Sequence, residues 1–467
     1  MKKICRNIIS IIIFLICFLF TFNIIKIGIL PNKYLILIVL CELILYVLGL
    51  ILFNLKKKVF IIIGIIIYII LSLFNGAGYY YISKINKHID SSFSNDYYSV
   101  TTKYYVVSSM NDSRDNINNI NKNSTINYYK YGRSIKKAMK ILGNYNYYER
   151  DKAIDSFEDV KNGNLFLISK DDYDYFFNST ILDSKDNYKI IYEFDVIDKI
   201  NKNMSVKDSY NIYINGLDFT GVMRDYNLIV TINNKKKKIL LTSMSRDTLV
   251  DVPDYKVQDT LMCLGYFDSE VSKRAIEKFL DTKIDYTINV NTNSLVNIVD
   301  SIDGVEFCSD YDFVTSHALV LNTYDDTQNR KLHVTKGCKK YNGIEILTIA
   351  RERIAIPGSD NIRQMNCRQI LINIAKKLAS TTTLKNYDKV IKSFDGLYTT
   401  DMNDKVLKRT IKSIIEDNNY EIIEQNVDGH DEMGIVHLGT VESWITRPYE
   451  DSVASASKNI NSILKER

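Results

Sequence analysis

Acidic residues and arginines stand close together at several points in the second half of the chain. Asp218 follows one apolar stretch, and Asp225 begins another. Arg246 and Asp247 follow a third stretch of the same kind. Carboxylates bind hard cations such as Mg²⁺ through oxygen, and the planar fork of arginine fits phosphate oxygens. If the fold brings these side chains together, they form a site for a metal ion with a bound phosphate.

A predicted β-hairpin brings two of these residues to one end of a sheet. The segments 226–232 and 238–244 are rich in strand-forming residues, and an Asn-Asn turn signal separates them. Such a hairpin places Asp225 roughly opposite Met244, two residues before Arg246. We therefore expect the side chains of Asp225 and Arg246 to emerge at the same end of the sheet.

Two further arginines, Arg351 and Arg353, alternate along the chain. On an extended segment they share a face, whereas on a helix they would lie about 200° apart. Pro357 and Gly358 break the chain soon afterwards, so we expect an extended exit from a helix that Asn342 can cap. A single arginine commonly belongs to a surface salt-bridge network. The predicted hairpin site favours phosphate binding instead.

The elements around these residues alternate between helix and strand. Apolar spacing predicts helices over 271–280, 294–300, 342–351 and 363–378, a strand over 286–290 and strand-like residues at 435–438. This alternation predicts an α/β fold with a three-layer sheet and flanking helices. The tail from 385 to 467 adds predicted helices at 406–417 and 454–465, and we expect it to pack on the same sheet.

Three apolar runs near the N-terminus, 8–25, 34–55 and 59–74, have lengths suited to membrane helices. A cleaved signal peptide is the alternative for the first run, but no small-residue cleavage site follows it and two more runs do. Basic residues concentrate on one flank of the runs, near the N-terminus and at 56–58. The positive-inside rule then places the N-terminus in the cytoplasm and residues after about 79 outside. This location favours lipid-borne or cell-wall substrates over ATP-dependent chemistry.

Three domains are predicted: a membrane anchor over 1–79, an accessory domain over 80–205, and a catalytic domain over 206–467 with its C-terminal extension. The middle region contains a predicted strand at 100–108 and a predicted helix at 134–142, so we interpret it as a small α/β domain. Its charged residues form no recognisable site, and a spacer or regulatory module is the expectation.

The composition narrows the classes of function. A net charge of +5 is too small to argue for nucleic-acid binding. The seven cysteines include no CxxC pair, and the chain has no GxSxG, Walker or HExxH motif. Outside the cell, Cys308 and Cys338 could form a disulfide that closes a loop of about thirty residues. Free buried thiols are the alternative for these two cysteines.

The ordered set of motifs resembles the LytR-CpsA-Psr family of cell-wall polymer ligases. The resemblance rests on the segments KKILLTSMSRDTLVDVP, NIVDSIDGVEF and KGCKKYNGIEILTIARERIAIPGSDNIR. It covers about residues 210 to 380, and the tail to about 460 is similar in pattern. A three-span anchor and an intervening accessory domain also match one branch of the family.

The resemblance implies an extracytoplasmic phosphotransferase of Gram-positive type. It would move a teichoic-acid-like or capsular glycopolymer from a polyprenyl-diphosphate carrier onto peptidoglycan, with Mg²⁺. Carried over by position, the metal ligands are Asp218 and Asp225, and the diphosphate-binding residues are Arg246, Arg351, Arg353 and Arg363. Either Asp225 or Asp247 could take the proton of the acceptor hydroxyl. The polyprenyl tail requires an apolar slot, which the sheet and the helices from 261 to 299 could line.

Departures from the family pattern leave two alternatives open. Arg224 stands directly beside Asp225, whereas the family usually shows an arginine two positions before the aspartate. Ser245 replaces the usual proline, and position 367 carries a cysteine where glutamine is common, while the arginine common at 366 is replaced by Asn366. These changes motivate a membrane-tethered regulator that binds the lipid diphosphate without turnover. A polyprenyl-diphosphate pyrophosphatase is the other alternative, because water could replace the wall hydroxyl.

Overall fold

The computed structural model describes residues 3–28, 30–93, 97–130, 132–178, 185–203, 205, 207–218, 220–253, 255, 257–319, 331–357, 359–378, 393, 398–416, 419–436 and 441–466. The helices are α1 (Lys3–Ile27), α2 (Asn32–Asn54), α3 (Lys58–Phe93), α4 (Ile135–Leu142), α5 (Ala153–Lys161), α6 (Lys170–Asn178), α7 (Ser269–Phe279), α8 (Thr292–Ser301), α9 (Gly343–Arg351), α10 (Ser359–Leu378), α11 (Asp404–Glu416) and α12 (Glu450–Lys465). The strands are β1 (Tyr97–Ser109), β2 (Thr125–Tyr129), β3 (Asn146–Arg150), β4 (Leu165–Ser169), β5 (Tyr188–Asn201), β6 (Ser209–Leu217), β7 (Arg224–Asn233), β8 (Lys238–Met244), β9 (Leu249–Val252), β10 (Val257–Thr260), β11 (Tyr286–Val290), β12 (Val305–Ser309), β13 (Phe313–Ala318), β14 (Lys331–Val334), β15 (Gly337–Tyr341), β16 (Tyr398–Thr400), β17 (Glu421–Val427), β18 (Gly429–Val436) and β19 (Val441–Pro448).

Helices α1 to α3, together with residues 402–421, form one compact unit. Each of the three N-terminal helices is long and apolar enough to cross a membrane, and α3 continues to Phe93, past the predicted end of its apolar run. The prediction that the helix in the tail packs on the catalytic sheet is wrong for α11, which lies in this unit and contacts α3. An amphipathic pattern shows that one face of a helix is buried but not which element covers it.

A five-stranded sheet occupies residues 97–201 in the order β3-β2-β4-β1-β5. Strand β2 pairs in parallel with β3 and β4, and β1 pairs antiparallel with β4 and β5. Tyr104, Ile126 and Leu167 are fully buried on one face, where Ile135 and Ala138 of α4 join the cluster. The strands β2 and β3 and the helix α6 are absent from the sequence prediction, because their Asn- and Tyr-rich segments alternate weakly. The predicted domain boundaries at 79 and 205 stay predictions.

A second, six-stranded sheet follows the order β16-β11-β6-β7-β8-β17. Strands β6, β7 and β8 are antiparallel neighbours, β11 runs parallel to β6, and β16 is antiparallel to β11. Both outer strands, β16 and β17, come from the C-terminal tail. For these two strands the prediction that the tail joins the sheet is confirmed.

Helices lie on both faces of this sheet, which confirms the predicted three-layer α/β architecture. Successive side chains of a strand point to opposite faces. On one face Tyr213, Ile229 and Leu240 pack with α7 and α12 in a single buried cluster. On the other face Ile214 and Tyr226 line a cavity whose far wall is formed by α8, α9 and α10.

A disulfide bond links two strands of the third layer. Strands β12 and β15 pair antiparallel, and their register sets Cys308 directly opposite Cys338. The two residues are disulfide-bonded, with Cα atoms 3.9 Å apart. The predicted bridge is therefore confirmed, and it ties two strands that lie immediately before α9 and after α8.

Candidate active site

The hairpin of β7 and β8 brings Asp225 and Arg246 together. Its register ends with Asn227 opposite Met244, whereas the prediction sets Asp225 opposite Met244, so the observed pairing is shifted by two residues. The difference arises because the turn begins after Asn233, one residue later than expected. Arg246 Nη1 lies 2.5 Å from Asp225 Oδ1. The prediction that both side chains emerge at the same end of the sheet is confirmed.

Asp247 sits between two arginines. Its Oδ1 lies 3.6 Å from Arg246 Nε, and its Oδ2 lies 3.5 Å from Arg353 Nη1. Burial raises the pKa of Asp247, although the charges of Arg246 and Arg353 act to lower it. Asp247 is thus a carboxylate with a raised pKa and with longer contacts to its arginine partners than Asp225 has.

Arg363 lies in the first turns of α10 and is only 4% exposed. Its Nε donates to Asp360 Oδ1 at 2.7 Å, and its Nη1 donates to the backbone carbonyl of Asp225 at 2.9 Å. Burial acts to raise the pKa of Asp360, but the charge and the hydrogen bond of Arg363 lower it overall. Sequence reasoning gave Asp360 no role. The available signal was its spacing of three residues from Arg363 on a predicted helix, which suits an ion pair.

A buried glutamate fixes the segment that carries Arg351 and Arg353. Helix α9 begins at a capping box made by Asn342 and ends at Arg351, and the chain then leaves in an extended conformation, as predicted. The Glu352 carboxylate accepts hydrogen bonds from the Ser316 backbone N–H at 2.5 Å and from its hydroxyl at 2.8 Å. It also accepts from the backbone N–H groups of the two residues at 354 and 355, at 2.8 and 2.9 Å. Sequence reasoning missed Glu352, although an acid between two arginines was visible.

One cavity of about 300 Å³ is lined by several of these side chains, but Asp247, Glu352 and Asp360 are not among its lining residues. Its charged lining includes Asp225 and all four arginines that the family motif predicted, namely Arg246, Arg351, Arg353 and Arg363. Its apolar lining includes Ile214, Val290, Leu295, Leu347, Ile370 and Leu371. The cavity therefore has both charged and apolar lining residues. The prediction that helices between 261 and 299 line an apolar slot holds for α8 but is wrong for α7, which packs on the opposite face of the sheet.

Asp218 lies at the end of β6 and is 2% exposed. Its carboxylate accepts hydrogen bonds from the Thr220 hydroxyl at 2.7 Å and from the backbone N–H groups of Val222 and Met223 at 3.2 and 3.1 Å. Burial raises its pKa. In this arrangement the Asp218 carboxylate stabilises the loop between β6 and β7. Its role as a metal ligand stays a prediction.

Two of the departures from the family pattern can be located. The Arg224 guanidinium lies 5.7 Å from the centre of the Tyr213 ring, on the α7 side of the sheet and away from the cavity. Cys367 lines the cavity, and its thiol donates to the Ala350 carbonyl at 3.4 Å. Arg224 therefore does not join the arginine cluster, whereas Cys367 contacts the same space as the four cavity arginines.

Comparison with known proteins identifies relatives of the second half of the chain. The LytR_cpsA_psr family model matches residues 175–447. A polyisoprenyl-teichoic acid–peptidoglycan teichoic acid transferase TagU from Bacillus cereus is 27% identical over 234 residues, which cover 49% of this chain and 72% of that protein. The biofilm regulatory protein A of Streptococcus mutans is 29% identical over 177 residues, covering 36% and 41% of the two chains. The crystal structure of B. subtilis TagV is 18% identical, covers 56% of this chain and 100% of its own, and has a TM-score of 0.47.

Proposed function

Because the chain belongs to the LytR_cpsA_psr family, we propose that it is a membrane-anchored phosphotransferase that moves a glycopolymer from a polyprenyl-diphosphate carrier onto peptidoglycan outside the cell. The observation that carries the proposal is one cavity lined by four arginines and by several apolar side chains. The teichoic acid transferases among the relatives support transfer to the wall.

The charged and the apolar lining residues of the cavity suit the two chemical parts of such a donor. A diphosphate carries several negative charges, and arginine forks bind phosphate oxygens in bidentate fashion. The first isoprene units are apolar and would pack on Leu347, Ile370 and Leu371. A volume of about 300 Å³ lies within the range of small-molecule sites.

The proposed reaction is an in-line displacement at the phosphorus that carries the glycopolymer. The acceptor hydroxyl oxygen forms a bond to this phosphorus, and the bond to the bridging oxygen of the diphosphate breaks, so that polyprenyl phosphate leaves. Arg246, Arg353 and Arg363 stabilise the charge that develops on the phosphate oxygens. The hydroxyl proton passes to a carboxylate, for which Asp247 is the better candidate. Asp225 is held by a 2.5 Å ion pair with Arg246, whereas Asp247 has looser contacts and a raised pKa.

The donor set of the site fits a divalent cation. Mg²⁺ in phosphoryl-transfer sites takes one or two carboxylates together with substrate phosphate oxygens. Asp225 lines the cavity and would supply such a carboxylate beside the diphosphate. When bound, Mg²⁺ would neutralise charge on the phosphate oxygens. Asp218 could join only if its carboxylate released the hydrogen bonds from Thr220 and Val222.

A transfer assay tests the proposal with the full-length protein in lipid nanodiscs. Labelled polyprenyl-diphosphate glycan and Mg²⁺ are supplied with and without peptidoglycan, and label joined to the wall is measured. Arg246→Ala should abolish most transfer, whereas Lys236→Ala, at the exposed tip of the same hairpin, should not change the rate. Equal rates for the Arg246→Ala and unchanged proteins would refute the site.

A second candidate function is a regulator that binds the lipid diphosphate without turnover. It is favoured by the position of Arg224 over Tyr213 instead of in the cavity, and by Cys367 in the cavity wall. In the same assay this function predicts saturable binding of the donor with neither transfer nor phosphate release. Release of phosphate without transfer would identify a pyrophosphatase.

A further inference from the structure

The C-terminal hairpin of β18 and β19 has two different faces. The strands pair over eight positions, from Gly429 with Pro448 to Val436 with Val441. Val436 and Ile445 point inward and form a small buried cluster with Leu249. This cluster anchors the hairpin to β9, the strand that follows the arginine–aspartate pair of the candidate active site.

The outward face combines an exposed indole with polar groups on either side. Trp444 is 64% exposed and pairs directly with Met433, which is 49% exposed. On the side of Trp444 nearer the C-terminus, Asp431 and Thr446 are paired, and the Thr446 hydroxyl donates to Asp431 Oδ1 at 2.7 Å. On the other side stands Glu442. Because side chains alternate along a strand, these five residues share one face with Ile435, which pairs with Glu442 and is 62% exposed, whereas Thr446 is only 9% exposed.

The hairpin is bonded through its backbone to the candidate active site. The backbone N–H of Thr446 donates to the carbonyl of Asp247 at 2.8 Å, and Thr446 forms a β-bridge with Thr248. Trp444 lies two residues before Thr446 on the same strand, which is a distance of about 7 Å. The side chain of Asp247 contacts the arginines while its backbone carbonyl accepts from the hairpin, so the hairpin is attached at the candidate base.

We propose that this outward face binds the glycan chain of the acceptor and delivers its hydroxyl to Asp247; this inference rests on the function proposed above. The apolar face of a pyranose ring packs on an exposed indole, and the ring hydroxyls donate to carboxylates beside it. Asp431 and Glu442 lie on either side of the indole on the same face of the hairpin. The same two carboxylates disfavour an anionic lipid surface, which a protruding tryptophan could otherwise enter.

Intrinsic fluorescence provides a direct test, because Trp444 is the single tryptophan of the chain. Full-length protein in nanodiscs is titrated with soluble, polymer-free glycan fragments released from peptidoglycan by a muramidase. Saturable change in the emission and protection from iodide quenching are expected, and they should persist in Arg246→Ala. Unchanged emission overturns the proposal. A blue shift with vesicles of phosphatidylglycerol but not with glycan would assign the face to the membrane and overturn it as well.

Transfer kinetics separate this proposal from the function on which it rests. Trp444→Ala should raise the KM for peptidoglycan roughly two- to tenfold, the factor that corresponds to one aromatic contact, with little change in kcat. Trp444→Phe should restore part of the loss. The control is Tyr148→Ala, an aromatic residue on β3 that is 52% exposed. Transfer with an unchanged KM in Trp444→Ala refutes the platform alone, whereas glycan binding at Trp444 without any transfer refutes the phosphotransferase alone.

Discussion

Asp225 and Asp247 both contact Arg246, but their surroundings give them different chemistry. Asp225 forms the 2.5 Å ion pair and also accepts Arg363 through its backbone carbonyl. Asp247 is held 3.5 to 3.6 Å from two arginines, and burial raises its pKa. A general base works best when its pKa approaches the working pH. The difference between these two carboxylates leads to one prediction for Asp247 and one for Arg246.

Asp247→Asn should lower kcat by roughly 10²- to 10⁴-fold, the usual contribution of a general base. In the unchanged protein kcat should rise with pH as Asp247 loses its proton. This rise should be missing from the pH profile of the variant. Because the pKa of Asp247 is higher in the folded state, the stability that this group contributes is present at low pH. It is lost as the pH rises through the folded-state pKa. The variant should therefore unfold at an equal or higher temperature near neutral pH. A rate and pH profile equal to those of the unchanged protein would exclude Asp247 as the base.

Arg246→Lys should remain strongly impaired although the positive charge is kept. Lysine cannot reproduce the planar fork that contacts Asp225 and would bind phosphate in bidentate fashion. Arg246→Ala should lose roughly 2 to 4 kcal/mol of transition-state stabilisation, the scale of one preorganised charge-stabilising group. The measurement is kcat/KM for the donor, with Lys236→Ala as the control. Full activity of the lysine variant would show that only charge matters at this position.

At the scale of elements, the segment between α9 and α10 depends on one buried acid. Burial acts to raise the pKa of Glu352, but hydrogen bonds from Ala355 and Ser316 lower it overall. A lowered pKa means that this stabilisation is present above the unfolded value and is lost as pH falls through the folded one. The acid therefore holds the extended exit of α9 in place at neutral pH and weakens its hold under acid conditions.

Glu352→Gln should destabilise the protein by roughly 1 to 3 kcal/mol, because the new amide group places a donor against backbone N–H donors. Its melting temperature should fall at pH 7, and the difference from the unchanged protein should shrink as the pH drops below about 4.3. Glu306→Gln, at an exposed position of β12, is the matched control and should leave the melting temperature unaltered. Equal melting temperatures for the Glu352→Gln and unchanged proteins would show that the carboxylate is dispensable.

The elements also show what could be predicted from the sequence and what could not. The hairpin, the cap at Asn342 and the helix end at Arg351 have local signals, and they place three of the site's arginines correctly. Glu352 and Asp360 act through contacts that the fold creates, so their residue types alone gave no role. The α11 segment, 404–416, was misplaced because an amphipathic helix does not specify its partner. The predicted pairing of β7 with β8 differs from the observed register by two residues, because moving a turn by one residue shifts the pairing of the two strands by two.

The disulfide between Cys308 and Cys338 links β12 to β15, the strand that leads into α9. In the chain-entropy model a loop of this length is worth roughly 3 to 4 kcal/mol. The double variant Cys308→Ser, Cys338→Ser should therefore unfold at a lower temperature, and dithiothreitol should lower the melting temperature of the unchanged protein only. If the double variant melts at the same temperature as the unchanged protein, the disulfide does not contribute to stability.

At the scale of the whole molecule, the three apolar helices and the basic flanks predict which part of the chain lies outside. A reporter fused after residue 467 should be active only on the extracellular side, and one inserted at Lys57 only in the cytoplasm. The measurement is paired activity of alkaline phosphatase and green fluorescent protein fusions. Cytoplasmic activity of the C-terminal fusion would rule out a wall substrate and with it the proposed function.

The bond between Cys308 and Cys338 also sets an order of events in biogenesis. A thiol pair that meets only in the folded β12–β15 ladder can close only where an oxidant is present. With the predicted topology, the chain must be exported before the ladder that precedes α9 is locked. The segment carrying Arg351 and Arg353 then gains this covalent support only after secretion.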